Sequence, residues 1–284
     1  MKKVNKILFP TDFSNNASNA FRFALPLADL LDASIQVVHA VFPEYETADL
    51  PVMTGQFTQA KMEAAEEAGK DFVEMGFVQV QNNFTFENVP EVDASIEIGT
   101  PVNVICNIAK RDEIDLVLMG TQGENHTLDK LLGTVASEVV EKAPCAVMVI
   151  PETASFKGIN NVVFATDLEK ADPYFIWETT RFLQPFDVVV RCVHIDKEGK
   201  SKRDHIVMED LESFFEENAP DYQIKFYDIP GKSITDKLNE FVDVFEADMV
   251  IMHSPRRSFF NRLFHKSQTA AMARMSKVPL LVLR

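Results

Sequence analysis

The strongest constraint on the fold is an internal repeat. FPTD at 9–12 recurs as FATD at 164–167, and VHA at 38–40 recurs as VHI at 193–195. DLVLM at 115–119 recurs as DMVIM at 248–252, so the segments keep their order in both halves. A chain that repeats its segments in this way is a tandem duplication of one folding unit. We therefore predict two domains, 1–150 and 159–284, joined by a linker from Pro151 to Gly158.

Within the first half, short apolar strands alternate with segments of helical periodicity. Strands are predicted at 3–9, 35–41, 92–98, 116–119 and 146–150, and helices after Ser14, at about 58–75, from Pro101, and from Gly133 to about Lys142. Residues 76–91 fit neither pattern. The alternation predicts an open parallel α/β sheet with right-handed crossovers. Ligands of such sheets bind at the carboxyl ends of the strands, which is where Asp12, Ala40 and Gly120 fall.

Three glycines follow the strand at 116–119, with two residues between Gly120 and Gly123 and nine between Gly123 and Gly133. Glycine reaches backbone conformations closed to other residues and lets a phosphate approach main-chain N–H groups. A helix that starts at Gly133 and Thr134 would add unpaired N–H groups and the positive end of its dipole. The stretch predicts an anion-binding loop; the alternative is that the glycines only serve turns.

The composition excludes several classes of function. The chain has 284 residues, of which 46% are hydrophobic, and a formal net charge of -15, so a surface that tracks nucleic-acid phosphates is not expected. Pro10 and Asp12 interrupt the first apolar run, so it reads as a strand and not as a signal peptide. No apolar run approaches the roughly 20 residues of a membrane span, and we expect a cytoplasmic protein without a membrane partner. Cys106, Cys145 and Cys192 are interpreted as reduced core residues.

These motifs together resemble the universal stress protein family. The matching residues are PTDFS at 10–14, VVHA at 37–40, GTP at 99–101 and the Gly-x2-Gly-x9-Gly-Thr pattern after DLVLM. The resemblance covers nearly the whole chain as two copies. It implies two tandem, open, five-stranded parallel-sheet domains of α/β class, Rossmann-like and similar to the adenine-nucleotide α-hydrolases, packed as an internal pseudo-dimer. It leaves open whether two chains form a homodimer, and it identifies no protein partner.

Family members with this glycine pattern bind ATP, usually with Mg2+ or Mn2+. The resemblance implies that Asp12 and Ala40 lie by the adenine and ribose, that Gly120 lies near the ribose, and that the later glycine-loop residues hold the phosphates. The implied nucleotide site comprises Pro10, Thr11, Asp12, Ala40, Met119, Gly120, Gly123, Gly133, Thr134 and Val135. No spacing forms a protein-only metal site, so the phosphates would carry the ion.

The second half departs from the family pattern at this site. Alignment of the strands places His253, Arg256 and Lys266 where the first half has its three glycines. A non-glycine residue at a position that needs positive φ costs about 1 kcal/mol, and an arginine side chain fills space that a phosphate would take. We therefore predict that ATP binds only in the first half.

Several single residues have two interpretations. Asp12 fits a nucleoside contact or a cap of the first helix, and the persistence of Asp167 in the second half argues for some structural role. His39 and His194 occupy matching positions and are typical of packed, hydrogen-bonded imidazoles. His126 is a solvated loop residue or approaches a terminal phosphate, and Glu124, Asn125 and Asp129 in the same loop are candidates to reach the metal through water. Arg256, Arg257, Arg262 and Lys266, with His253 and His265, form an exposed loop of mixed charge or an anion-binding site.

The leading hypothesis is an ATP-binding factor that regulates or protects in the stress response, with ATP stabilising one conformation or assembly over another. A protein-interaction module with a vestigial site is the alternative. Slow ATP hydrolysis or autophosphorylation is less well supported, because the first half has no Gly-Lys-Ser/Thr phosphate loop and no evident catalytic acid or base. We assign no catalytic residue.

Overall fold

The computed structural model describes residues 3–42, 51–121, 133–168, 172–196, 202–218, 220, 222–253 and 278–284. The chain divides into two compact units between Phe156 and Lys157. Among the helices in these ranges, none combines the length and the apolar character needed to cross a bilayer. The predicted packing of the two halves as a pseudo-dimer, and any homodimer, stay predictions.

The first unit is an open parallel sheet with the strand order β3-β2-β1-β4-β5. Its elements are β1 (Lys6–Pro10), α1 (Asn15–Leu31), β2 (Ser34–Val41), α2 (Pro51–Gln81), β3 (Val92–Ile98), α3 (Pro101–Arg111), β4 (Leu116–Gly120), α4 (Thr134–Lys142) and β5 (Ala146–Ile150). The predicted α/β alternation and parallel sheet are confirmed. Because the chain winds in opposite directions from β1 and β4, a crevice is expected where the carboxyl ends of these two strands meet.

The second unit has the same topology, with the strand order β8-β7-β6-β9-β10 and parallel pairing throughout. Its described elements are β6 (Asn161–Thr166), α5 (Asp172–Leu183), β7 (Val189–Asp196), α6 (Lys202–Glu217), β8 (Gln223–Pro230), α7 (Ile234–Val244), β9 (Met249–His253) and β10 (Leu280–Leu283). The repeat seen in the sequence is therefore also a repeat of strand order.

The repeated aspartate that opens DLVLM and DMVIM ties two strands together at their amino ends. In the first unit, Asp115 Oδ2 accepts the backbone N–H groups of residues 5 and 6, at 2.9 and 3.1 Å. In the second unit, Asp248 Oδ2 accepts those of residues 160 and 161, both at 2.8 Å. These carboxylates lie at the opposite end of the strands from the candidate site, so the repeated residue has a structural role.

Local signals in the sequence place the starts of two helices in the first unit. Ser14 Oγ accepts the backbone N–H of Ala17 at 3.2 Å, which confirms the predicted cap of α1. Pro101 opens α3, a position where the absence of an N–H costs nothing.

Helix α2 runs on to Gln81, beyond the predicted end at about 75. A Cβ added at Gly76 would lie 2.5 Å from two ring atoms of Phe21, so this glycine lets α2 pack against α1. The loop that follows is held by Asp29 of α1, which is 3% exposed. Its two carboxylate oxygens accept the backbone N–H groups of Glu87 at 3.1 Å and Asn88 at 2.6 Å. This anchor orders part of the stretch that fitted no pattern in the sequence.

Candidate functional site at the carboxyl ends of the strands

The loop after β1 is shaped by its own side chains. Buried Thr11 accepts the backbone N–H of Phe13 on Oγ1 at 2.9 Å, and half-buried Asp12 accepts that of Ser14 on Oδ1 at 3.1 Å. Phe13 has a φ of 62°, a left-handed conformation that is uncommon outside glycine, asparagine and aspartate. Asp12 therefore positions the residue that caps α1, which is the structural role that its persistence in both halves suggested.

The end of β2 is joined to this loop through His39. Its Nδ1 lies 2.8 Å from the carbonyl oxygen of Thr11, and since a carbonyl only accepts, Nδ1 carries the hydrogen. The ring stacks on Phe13 with centroids 4.6 Å apart. In the second unit, His194 Nδ1 makes the same contact with the carbonyl of Thr166 at 3.1 Å. The predicted packed, hydrogen-bonded imidazoles are confirmed, and His39 fixes the strand end that carries half-buried Ala40.

Gly120 ends β4 against the first turn of α1. A Cβ at this position would lie 3.3 Å from the carbonyl oxygen and 3.5 Å from the carbonyl carbon of Asn16. Gly120 is not among the described residues with positive φ, so the conformational reason given for this glycine in the sequence is wrong. The glycine is needed because the helix backbone approaches closely. Met119, one residue earlier, is buried, so its side chain belongs to the core.

Helix α4 begins without a side-chain cap. Its N-cap is Gly133, with a φ of -59° and a ψ of 156°, a conformation open to every residue, so positive φ is again not the reason for the glycine. The Gly133 N–H donates to the carbonyl of Thr121 at 2.6 Å, which ties the helix start to the end of β4. Thr134 is exposed and Val135 is half-buried. The N–H groups of a first helical turn have no acceptor within the helix, so those of α4 are suited to an external acceptor.

The fold thus gathers the predicted residues at one edge of the sheet. Strand order puts the ends of β2, β1 and β4 side by side, and the contacts of Gly120 and Gly133 bring the starts of α1 and α4 to the end of β4. Of the predicted nucleotide-binding residues, Gly123 lies outside the described residues. The same holds for the loop residues Glu124, Asn125, His126 and Asp129.

The second unit has aromatic rings at the equivalent place. His253 ends β9 as Gly120 ends β4, because Met249 pairs with Val162 as Leu116 pairs with Ile7. The imidazole stacks on Phe175 of α5 with centroids 3.4 Å apart. In the aligned repeat, Phe175 stands where the first unit has Ala20, so two rings replace a glycine and an alanine.

The environment of His253 also keeps its ring uncharged down to lower pH. Burial, and to a smaller extent the nearby Arg284, lower the pKa of His253 to about 4. The ring is therefore neutral at neutral pH, and it does not add to the basic character of the loop with which the sequence grouped it. Outside the described residues lie Arg256, Arg257, Arg262, His265 and Lys266. The sequence alone did not lead us to Phe175, although alignment of the two repeats places this large aromatic residue where the first half has Ala20.

An open parallel α/β sheet with an uncapped, glycine-flanked helix start at the point where its winding reverses defines a class of domains that take ligands at the carboxyl edge. The family model described as the universal stress protein family matches residues 3–151. The chain belongs to the universal stress protein family, as the motifs in the sequence predicted.

Comparison with individual proteins agrees with this assignment. The chain is 31% identical over 155 residues to a universal stress protein of Staphylococcus epidermidis, an alignment that covers 53% of this chain and 86% of the relative. A universal stress protein of Staphylococcus aureus is 30% identical over the same length. A crystal structure of a universal stress protein from Archaeoglobus fulgidus matches with a TM-score of 0.69 at 19% identity, covering 99% of this chain and 96% of that one. At this identity the last match shows the fold alone.

Proposed function

We propose that the first unit binds ATP, and that nucleotide occupancy makes this protein a regulatory or protective factor in the stress response. One observation carries the proposal: the uncapped start of α4, with glycine as its N-cap, lies beside the end of β4 at the sheet's reversal point. The family's glycine pattern, complete in the first half, supports it.

The start of α4 fits a phosphate group. Gly133 has dihedral angles that any residue adopts, so the absence of a side chain is what distinguishes it here. Without a Cβ, the backbone N–H groups of Thr134 and Val135 are open to a close approach, and the exposed Thr134 hydroxyl adds a donor. The helix dipole adds a local positive potential, which matters in a chain with a net charge of -15.

The ends of β1 and β2 fit the nucleoside part. The carboxylate of Asp12 accepts hydrogen bonds, and Ala40 offers a small apolar contact that leaves room for a planar base. His39 and Phe13 hold these two strand ends in place through the contacts described above.

A divalent ion would enter with the nucleotide. No group of three or more His, Cys, Asp or Glu side chains in the described part of the chain is placed to hold a metal. Mg2+ keeps much of its water shell and is commonly held by phosphate oxygens, so the proposed ion is carried by the phosphates. When bound, it would neutralise phosphate charge and reduce the repulsion between ATP and this acidic protein.

In the second unit, the stacked His253 and Phe175 support the proposal that ATP binds only in the first unit. Titration calorimetry with Mg-ATP, on protein freed of carried-over nucleotide, tests both parts. We expect one nucleotide per chain. Two per chain would refute the restriction to the first unit, and none would favour an interaction module with a vestigial site.

The Gly133→Val variant locates the binding. Valine adopts the observed dihedral angles without strain, and circular dichroism verifies the fold because valine is a poorer N-cap than glycine. We expect its side chain to hinder the approach of a phosphate to the helix start. We expect the affinity of Gly133→Val for Mg-ATP to fall by at least about tenfold. The affinity of Gly133→Ala should lie between those of Gly133→Val and the unaltered chain. His253→Ala, at the equivalent edge of the second unit, is the matched control and should bind ATP as the unaltered chain does. Gly123→Val makes the same test within the glycine loop.

A further inference from the structure

The second unit exposes three aromatic side chains on α5 and α6, named here the aromatic patch: Tyr174, Trp177 and Phe214 are 60%, 44% and 43% exposed. Trp177 and Phe214 both contact the buried ring of Phe215, at centroid distances of 6.4 and 5.1 Å. Tyr174 precedes Trp177 by one helical turn and therefore lies on the same side of α5. Clustered aromatic side chains of this kind mark interaction sites more often than isolated apolar residues do.

The duplication shows what lies over the counterpart of Tyr174 in the first unit. With Thr11 aligned to Thr166 and His39 to His194, Asn19 of α1 corresponds to Tyr174. Asn19 Nδ2 donates to the carbonyl oxygens of Pro151 at 3.2 Å and Ala154 at 2.9 Å. This irregular segment after β5 thus lies across α1.

The segment is anchored by an aromatic side chain. Phe156 packs edge-on against Phe23 of α1, with centroids 5.1 Å apart, and against Phe84 at 6.5 Å. The first unit therefore binds a short irregular segment on the side of α1 that carries Asn19, the counterpart of Tyr174. Its phenylalanine anchor packs on Phe23, the counterpart of half-buried Glu178.

Charge limits what can lie on the aromatic patch. Asp210 and Glu217 are exposed on α6, about one turn before and after Phe214, and Glu212 and Glu216 are also exposed. Arg181 is an exposed cation one turn from Trp177 on α5. A second copy of this chain, with its net charge of -15, would bring acidic side chains together. A basic partner would meet complementary charge.

We propose that the aromatic patch docks a short basic segment of another protein that carries an aromatic anchor, in the way that residues 151–156 lie on α1. This interaction does not depend on the nucleotide site, so either proposal can fail without the other.

Trp177 is the only tryptophan in the chain and lies in the patch, so its emission reports binding directly. The probe is a synthetic peptide, PKTASFKKK, which follows the sequence from residue 151 with lysine in place of Glu152 and further lysines at its end. We expect a saturable blue shift of Trp177 emission that weakens as salt is added. The same peptide with serine in place of phenylalanine should bind about tenfold more weakly.

Protein variants place the site. Phe214→Ser should weaken peptide binding, while Val244→Ser, which alters a residue that is 68% exposed on α7, should not. The double variant Asp210→Asn and Glu217→Gln should lose most of the salt dependence. Circular dichroism and thermal melting verify that each variant is folded.

Three results would overturn the proposal. The first is the absence of a saturable shift with the basic peptide, and the second is equal binding of the serine peptide. The third is a blue shift that appears on concentrating the protein alone, together with a dimer in sedimentation analysis, because the occupant would then be a second copy.

Discussion

Replacing Asp29 with alanine should destabilise the first unit strongly, because this buried carboxylate accepts two backbone N–H groups from a loop 58 and 59 residues further along the chain. A hydrogen bond to a charged acceptor contributes about 1.5–3 kcal/mol, and an unpaired buried donor adds a desolvation cost. The donors are only partly buried and regain some water, and alanine favours the helix by about 0.5 kcal/mol. We therefore expect the free energy of unfolding to fall by about 2–4 kcal/mol.

The measurement is urea unfolding followed by circular dichroism, with hydrogen exchange read by mass spectrometry. Exchange should accelerate first at Glu87 and Asn88, whose N–H groups lose their acceptor. Asp29→Asn should be intermediate, since the amide oxygen accepts one of the two bonds. Asp93→Ala, which removes an exposed carboxylate from β3, is the matched control. A loss below about 1 kcal/mol, or an equal loss in the control, would refute the reasoning.

Three further predictions follow from the described contacts. The pKa of His253 is lowered from 6.5 to about 4, so its contribution to the free energy of unfolding is full above pH 6.5 and is lost as the pH falls towards 4. This contribution is about 1–2 kcal/mol, because the ring is only partly buried. Urea titrations of His253→Gln should lack this pH-dependent contribution, and an unchanged pH dependence would contradict the prediction. Gly120→Ala should lower the free energy of unfolding by about 1 kcal/mol, and with it the melting temperature, because the added Cβ would meet Asn16. Gly69→Ala, whose added Cβ has its nearest atoms at 3.9 Å, should leave the stability unchanged or raise it. Burial raises the pKa of the Cys145 thiol to about 12, so a thiol reagent should label it slowly in the native protein at pH 7 and rapidly in urea; equal rates would refute this.

The sequence predicted that the candidate site lies at the carboxyl ends of the strands, but it did not predict why glycine occupies positions 120 and 133. Gly120 and Gly133 were expected to matter both for their backbone conformation and for the approach of a phosphate, and neither has positive φ. The contact of Gly120 with Asn16 joins residues 104 positions apart, and nothing in the local pattern reveals it. The stacking of Phe175 on His253, which distinguishes the second unit from the first, likewise joins residues that are far apart in the sequence.

The sequence by itself determined the duplication, the order of strands and helices, the Ser14 cap and the start of α4, because periodicity, caps and turn residues act within a few positions of one another. Only the tertiary structure decided the length of α2, the anchoring of the loop by Asp29, the close approach at Gly120 and the neutral state of His253. These features depend on burial and on contacts between residues that are distant in the sequence and meet only in the folded chain, so no local pattern encodes them.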